Sequence, residues 1–214
     1  MASQIRLKWV LTVITLGGSL LICFLLYSFF LKPLPTFLTT ASPDRTYTVT
    51  LNGQKSRPIF FTATIRFDVS KNGTSMLSDK FLYSADGMDI PFETWYPNHR
   101  WLNEQSIQFY REQNLRDVPP DTIVVANNTG KTIKYAKIDS IDIVIFFEMQ
   151  PGFKISIPTS QSKGDGKWLS VNGEFSDGTN ISEFGADFNV KSKREPKTFY
   201  VDLGAGRTNV EMRN

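Results

Sequence analysis

Alternation of apolar and polar side chains is the feature that most constrains how this chain can fold. From Ile59 to Val69 every second residue is apolar, and positions 62, 64, 66 and 68 between them are polar. Successive side chains of a strand point to opposite faces, so the pattern predicts a strand with one buried face and one hydrated face. Residues 47–51 and 184–190 alternate in the same way. We therefore predict a mainly β fold with antiparallel sheets.

Short strands continue to the C-terminus and are separated by turn signals. Pro151-Gly152 and Asp177-Gly178 are two of these signals. Regular short strands of this kind are typical of a β-sandwich, which we place at residues 122–214. A boundary at 117–121, marked by Pro119-Pro120, follows a blade-like β-sheet subdomain at 44–116. We place the later strands near 122–126, 132–138, 141–149, 153–158, 168–175, 183–190, 198–203 and 208–213.

An uncharged apolar segment of the chain runs from Trp9 to Leu31. As a helix it would be about 34 Å long, enough to cross a bilayer core of about 30 Å. We predict a transmembrane helix at 9–31, a short cytoplasmic N-terminus at 1–8 and a Pro-rich linker at 32–43. Arg6 and Lys8 precede the segment, which favours a signal-anchor with the β domain outside the membrane. A cleaved signal peptide, a lipoprotein signal at Cys23 and a domain facing the cytoplasm are the alternatives.

Composition excludes several classes of chemistry. Of the 24 Lys+Arg residues, Arg6, Lys8 and Lys32 flank the apolar segment, and every one of the 21 Asp+Glu residues lies at or beyond Asp44. Residues 33–214 therefore carry 24 − 3 = 21 basic and 21 acidic side chains, which argues against nucleic-acid binding. Cys23 and His99 are the sole cysteine and histidine, so multi-histidine and thiolate metal sites have no ligands. We expect no cofactor and no metal.

A glycine-lysine segment, Asn128-Thr129-Gly130-Lys131-Thr132, matches the end of a phosphate-binding loop. Position 125, where the loop would begin with glycine, is Val125. Strand patterns flank the segment, whereas a phosphate loop opens a helix. The sequence therefore predicts a hairpin turn there and no nucleotide.

The segment Val125 to Ile133, followed by Met149-Gln150-Pro151-Gly152, resembles small bacterial β-domains of unknown function. In those domains an N-x-[ST]-G hairpin precedes a strand and then a P-G turn. The resemblance implies a β fold and no activity. Separately, the domain has no cysteine and therefore no disulfide, which favours a bacterial envelope protein whose fold is held by core packing.

Aromatic and basic side chains crowd one soluble segment around Pro97. They form a candidate partner or ligand patch, because Trp, Tyr and Arg dominate interface hot spots. The alternative is that the tryptophans only close the end of the sheet by packing. The patch residues are Trp95, Tyr96, His99, Arg100 and Trp101.

Taken together, these patterns predict a non-enzymatic binding, accessory or scaffold subunit at a membrane, with another membrane or envelope protein as its partner. Two alternatives stay open. One is a sandwich that carries a lipid or small molecule. The other is a hydrolase with two carboxylates from Asp86, Asp89 or Glu93, which would have to face each other across a cleft.

Overall fold

The structure is a computed structural model. It describes residues 15–24, 35–53, 63–85, 96, 98–110, 120–159, 166–182, 184–189, 197–204 and 207–213. The chain divides into two compact units, residues 1–36 and residues 37–214. The second unit is mainly β, as the alternating pattern predicts.

In the N-terminal unit, residues 15–24 form an α-helix. Its leucines, isoleucine and phenylalanine are more than half exposed. The helix is about 15 Å long at 1.5 Å per residue. Among the residues that the structure describes, no helix combines the length and apolar character that crossing a bilayer requires. The transmembrane helix predicted at 9–31 is thus unsupported by the structure, with residues 9–14 and 25–31 outside the described part.

Fourteen described strands form three sheets. The first sheet has the order β1 (Thr36–Ala41), β2 (Tyr47–Gly53), β3 (Ala63–Lys71), β4 (Thr74–Ala85). The central sheet has the order β12 (Phe184–Asn189), β11 (Gly166–Phe175), β8 (Ile133–Asp139), β9 (Ile143–Met149), β6 (Ser106–Tyr110), β5 (Asn98–Asn103). The third sheet has the order β10 (Lys154–Thr159), β7 (Asp121–Ala126), β13 (Thr198–Asp202), β14 (Asn209–Arg213).

The central sheet packs on both of its faces, and β9 contributes apolar side chains to both of the resulting cores. Ile143, Ile145 and Phe147 belong to the apolar core shared with the first sheet. Val144 and Phe146 belong to the core shared with the third sheet. All five side chains have no exposed surface. A continuous apolar run therefore replaces alternation where a strand is buried on both faces.

The predicted antiparallel arrangement is only partly correct. The first and central sheets are antiparallel throughout the pairings resolved between their strands. In the third sheet, however, β13 runs parallel to β7, with Phe199 opposite Ile123. Parallel neighbours need a long crossover connection. Here the chain between β7 and β13 includes four strands of the central sheet, β8, β9, β11 and β12.

Strands on either side of the predicted 117–121 boundary share the central sheet. Ser106 and Phe109 of β6 pair with Phe146 and Ile143 of β9. The first sheet includes β1, which lies within the predicted 32–43 linker. β5 and β6 lie within the predicted blade-like subdomain at 44–116, but they belong to the central sheet. Residues 111–119 themselves lie outside the described part of the chain.

The connection from β7 to β8 corrects the predicted hairpin. The two strands belong to different sheets, so residues 127–132 cross from the third sheet to the central one. Asn127 is fully buried, and its Nδ2 donates hydrogen bonds of 3.0 Å to the carbonyls of Lys131 and Met149. Its Oδ1 accepts from the backbone N–H and the hydroxyl of Thr129. The buried amide is thereby satisfied, which a side chain in the interior requires.

Candidate binding surface at the edge of the central sheet

The predicted aromatic patch lies at one edge of the central sheet. His99, Arg100 and Trp101 belong to β5, the last strand in the sheet order. Tyr96 is buried and packs edge-on against Tyr83, with ring centroids 5.8 Å apart. Trp95 lies outside the described residues. The structure thus brings three of the five predicted residues together on one edge strand.

Trp101 connects β5 to the first sheet. Its indole Nε1 donates a 3.2 Å hydrogen bond to the hydroxyl of Thr40 in β1. Its ring lies 6.3 Å from that of Phe147 in the buried core. The side chain is half-buried, so its contacts are those of a packing residue.

Arg100 points to the opposite face of the strand and is held by a buried polar chain. Its Nε donates to Gln108 Oε1 at 2.9 Å, and an Nη donates to the carbonyl of Pro158 at 3.3 Å. Gln108 Nε2 in turn donates to Asp142 Oδ2 at 2.8 Å. Gln108 and Asp142 are buried. The exposed Arg100 side chain is therefore hydrogen-bonded to buried side chains that hold its position. Its cation also lies 5.2 Å from the Tyr110 ring.

The sequence did not mark Gln108 or Asp142 as site residues. A single glutamine between Ile107 and Phe109 looks like any polar residue on a hydrated face. In the structure β10 contacts that face, where the carbonyl of Pro158 accepts hydrogen bonds from both Gln108 and Arg100.

His99 is exposed, and its ring lies 6.1 Å from that of Phe109. Partial burial lowers the pKa of this imidazole from its usual value near 6.5. Since His99 is the sole histidine, we expect a single set of imidazole C–H resonances in the NMR spectrum, with a titration midpoint below about 6.5. At pH values between the lowered pKa of the folded state and about 6.5, the unfolded chain binds more protons than the folded chain. The free energy of unfolding therefore rises with pH across this window. A midpoint above 6.5 would contradict the described environment.

Ion pairs join the first sheet to the central sheet near β12, the end of the central sheet opposite β5. Lys80 of β4 and Lys134 of β8 both contact the carboxylate of Glu174, at 3.0 and 3.1 Å. These hydrogen bonds lower the pKa of Glu174. Lys137 is buried, donates to the carbonyl of Leu82 at 2.9 Å, and lies 3.4 Å from Asp139.

The described residues hold no group of three or more His, Cys, Asp or Glu side chains that could bind a metal ion. The carboxylates of the hydrolase alternative, Asp86, Asp89 and Glu93, lie outside the described residues. The segment resembling a phosphate-binding loop makes internal contacts instead. Lys131 forms an ion pair of 2.6 Å with Asp177.

Comparison with known proteins found no matching protein-family model, no matching curated protein and no matching solved structure.

Proposed function

We propose that this chain is a non-enzymatic accessory or scaffold protein of a bacterial cell envelope. In this proposal, residues 9–31 anchor it in the membrane and the β domain faces outward. It binds another envelope protein through the edge formed by β5. The main support is the exposed His99 and Arg100 on a strand at the end of the sheet order.

Two properties of β5 favour binding there. A strand at the end of a sheet presents backbone N–H and C=O groups to an added strand of a partner. Arg100 is also held in place before any partner arrives, because Gln108 and Pro158 fix its guanidinium. A preorganised arginine loses less conformational freedom on binding. We therefore expect the partner to place an acidic side chain against Arg100.

The anchor proposal rests on the sequence, where 9–31 is uncharged and apolar. The exposed apolar side chains of the 15–24 helix are consistent with it. The alternative of a cargo carrier receives little support. The interior between the central and third sheets is filled by side chains such as Val144, Phe146 and Phe175, all without exposed surface.

One experiment tests both the orientation and the contact. In a Cys23→Ser background, which removes the sole cysteine, the full-length chain would carry either His99→Cys or Lys154→Cys. Lys154 is a matched control, because it is exposed on β10, an end strand of the third sheet. Intact spheroplasts would then be treated with a membrane-impermeant thiol-reactive photo-crosslinker. We expect both cysteines to react and only position 99 to crosslink to one envelope protein.

Charge reversal then tests the role of the guanidinium. Arg100→Glu should reduce the crosslink at position 99 by about tenfold or more, corresponding to about 1.4 kcal/mol. Lys154→Glu should leave it unchanged. Two cysteines that resist the reagent in spheroplasts but react after lysis would overturn the outward orientation. Equal crosslinking from both positions would overturn β5 as the contact surface.

A further inference from the structure

A groove lies between the last strand of the first sheet and the β8–β11 side of the central sheet, and no residue of β5 lines it. Its volume is about 320 Å³, and it is lined by Phe81, Tyr135, Asn172, Gly173, Asn180 and Ile181. Small-molecule sites usually measure about 300–1,000 Å³. The groove is therefore large enough for a small ligand, and its lining carries no formal charge.

Two aromatic rings form its walls, and each is held by a lysine. Phe81 is 48% exposed, and the Lys137 ammonium lies 4.9 Å from its ring centroid. The Lys80 ammonium lies 5.1 Å from the Tyr135 ring, which also packs edge-on against Phe67. Cations over aromatic faces are attracted by the ring quadrupole. The rings are thus kept in position, while an exposed phenylalanine offers an apolar surface to a ligand.

Gly173 of β11 lines the groove beside Tyr135 of β8. A Cβ added at Gly173 would meet the carbonyl oxygen of Tyr135 at 2.4 Å and the Cα of Ala136 at 3.0 Å. The Cδ1 atom of Ile181 also lies 2.8 Å from that position. Glycine is therefore required where β11 passes β8, because the space of a side chain is already filled. This close approach also fixes the Tyr135 wall relative to β11.

Polar groups that can orient a ligand come from Asn172 and Asn180. Neither carboxamide makes a hydrogen bond within the residues that the structure describes. Each can donate two hydrogen bonds and accept two. Tyr135 adds a phenol, and burial raises its pKa, so it stays a protonated donor.

The charges around the groove are already paired. Glu174 forms ion pairs with both Lys80 and Lys134, and Asp139 forms one with Lys137. An anionic ligand would have to displace these carboxylates, and an acyl chain would leave the amides without partners. A neutral sugar suits the lining, because its C–H face can pack on a ring while its hydroxyls bond to amides.

We propose that this groove binds a neutral saccharide about the size of a disaccharide. The site is separate from the β5 edge, so its occupation does not depend on the partner contact proposed above. Failure of either proposal leaves the other intact.

The test uses purified full-length protein and three neutral probes: maltose, cellobiose and N,N′-diacetylchitobiose. Saturation-transfer NMR followed by calorimetric titration would measure binding. We expect at least one disaccharide to bind. Phe81→Ala and Asn172→Ala should each weaken that binding by about tenfold or more, whereas Phe81→Tyr should preserve it.

Trp168→Ala is the matched control. Trp168 is a comparably exposed aromatic residue, at 45%, on β11, and it does not line the groove. Its removal should change the dissociation constant less than about twofold. Thermal unfolding of each variant would verify that the fold is retained.

Three outcomes would overturn the proposal. One is no binding of any disaccharide at about 10 mM. Another is binding that survives Phe81→Ala and Asn172→Ala but is lost in Trp168→Ala. The third is binding of inorganic phosphate, run as a parallel anionic probe, with none of the neutral sugars.

Discussion

Phe147→Ala is expected to lower the free energy of unfolding by about 3–5 kcal/mol. Phe147 has no exposed surface and stacks on Tyr47 of the first sheet, with ring centroids 5.6 Å apart. Its removal leaves a cavity between the first and central sheets, which are too tightly packed to close it fully. Because a domain of this kind is stable by about 5–15 kcal/mol, the variant loses a large share of its stability.

Urea unfolding of the full-length protein, followed by tryptophan fluorescence, would measure this loss. Phe81→Ala is the matched control, since the same truncation at a half-exposed ring, which also loses the contact with Lys137, should cost no more than about 2 kcal/mol. Phe146→Ala, in the core shared with the third sheet, should cost about as much as Phe147→Ala. A Phe147→Ala loss no greater than that of Phe81→Ala would contradict the described packing of the first sheet on the central one.

Lys137→Ala is expected to destabilise the protein by about 3–5 kcal/mol at neutral pH. The ammonium is buried, and it contacts Asp139 and the carbonyl of Leu82. Without it, Asp139 stays in the interior as an uncompensated carboxylate. The double variant Lys137→Met/Asp139→Leu removes both charges and should recover most of the loss, since apolar pairs often replace buried ion pairs without cost.

The pH dependence of this loss separates lost charge from lost volume. Burial already raises the pKa of Asp139, and loss of the Lys137 charge would raise it further. A raised folded-state pKa means that the folded chain binds more protons between the unfolded value, about 3.9, and the folded value. Stability therefore falls as pH rises through that window, and the cost of Lys137→Ala should shrink toward about pH 4.

Urea unfolding at several pH values would measure this effect. Lys154→Ala, at an exposed lysine on β10, should stay within about 0.5 kcal/mol of the parent at every pH. A Lys137→Ala loss that is independent of pH would indicate a packing defect and contradict the buried ion pair.

Local physics made the strand positions readable from the sequence. The alternating apolar residues Ile65, Phe67 and Val69 are all buried on one face of β3. Turn residues were equally informative, because Gly152 and Gly178 adopt φ values of +80° and +84°. Glycine takes such values without steric cost. Strand period and turn chemistry depend only on near neighbours, so a single sequence carries them.

Partner choice between strands was settled only by the tertiary structure. No pattern in the neighbouring residues predicts that β6 pairs with β9, on the other side of the 117–121 boundary in sequence. None predicts that β13 lies parallel to β7. Nothing local predicts that residues 127–132 cross between sheets. These pairings bring together residues far apart in sequence, and the burial of whole sheet faces selects them.

The same division applies to the candidate sites. Composition alone excluded thiolate and multi-histidine metal sites, and the aromatic-basic segment drew attention to His99 and Arg100. The buried support of Arg100, the groove beside Phe81 and the buried Lys137 depended on packing of one sheet against another. Side-chain identity is local information, whereas the surroundings that give a side chain its chemistry are assembled only when distant strands meet.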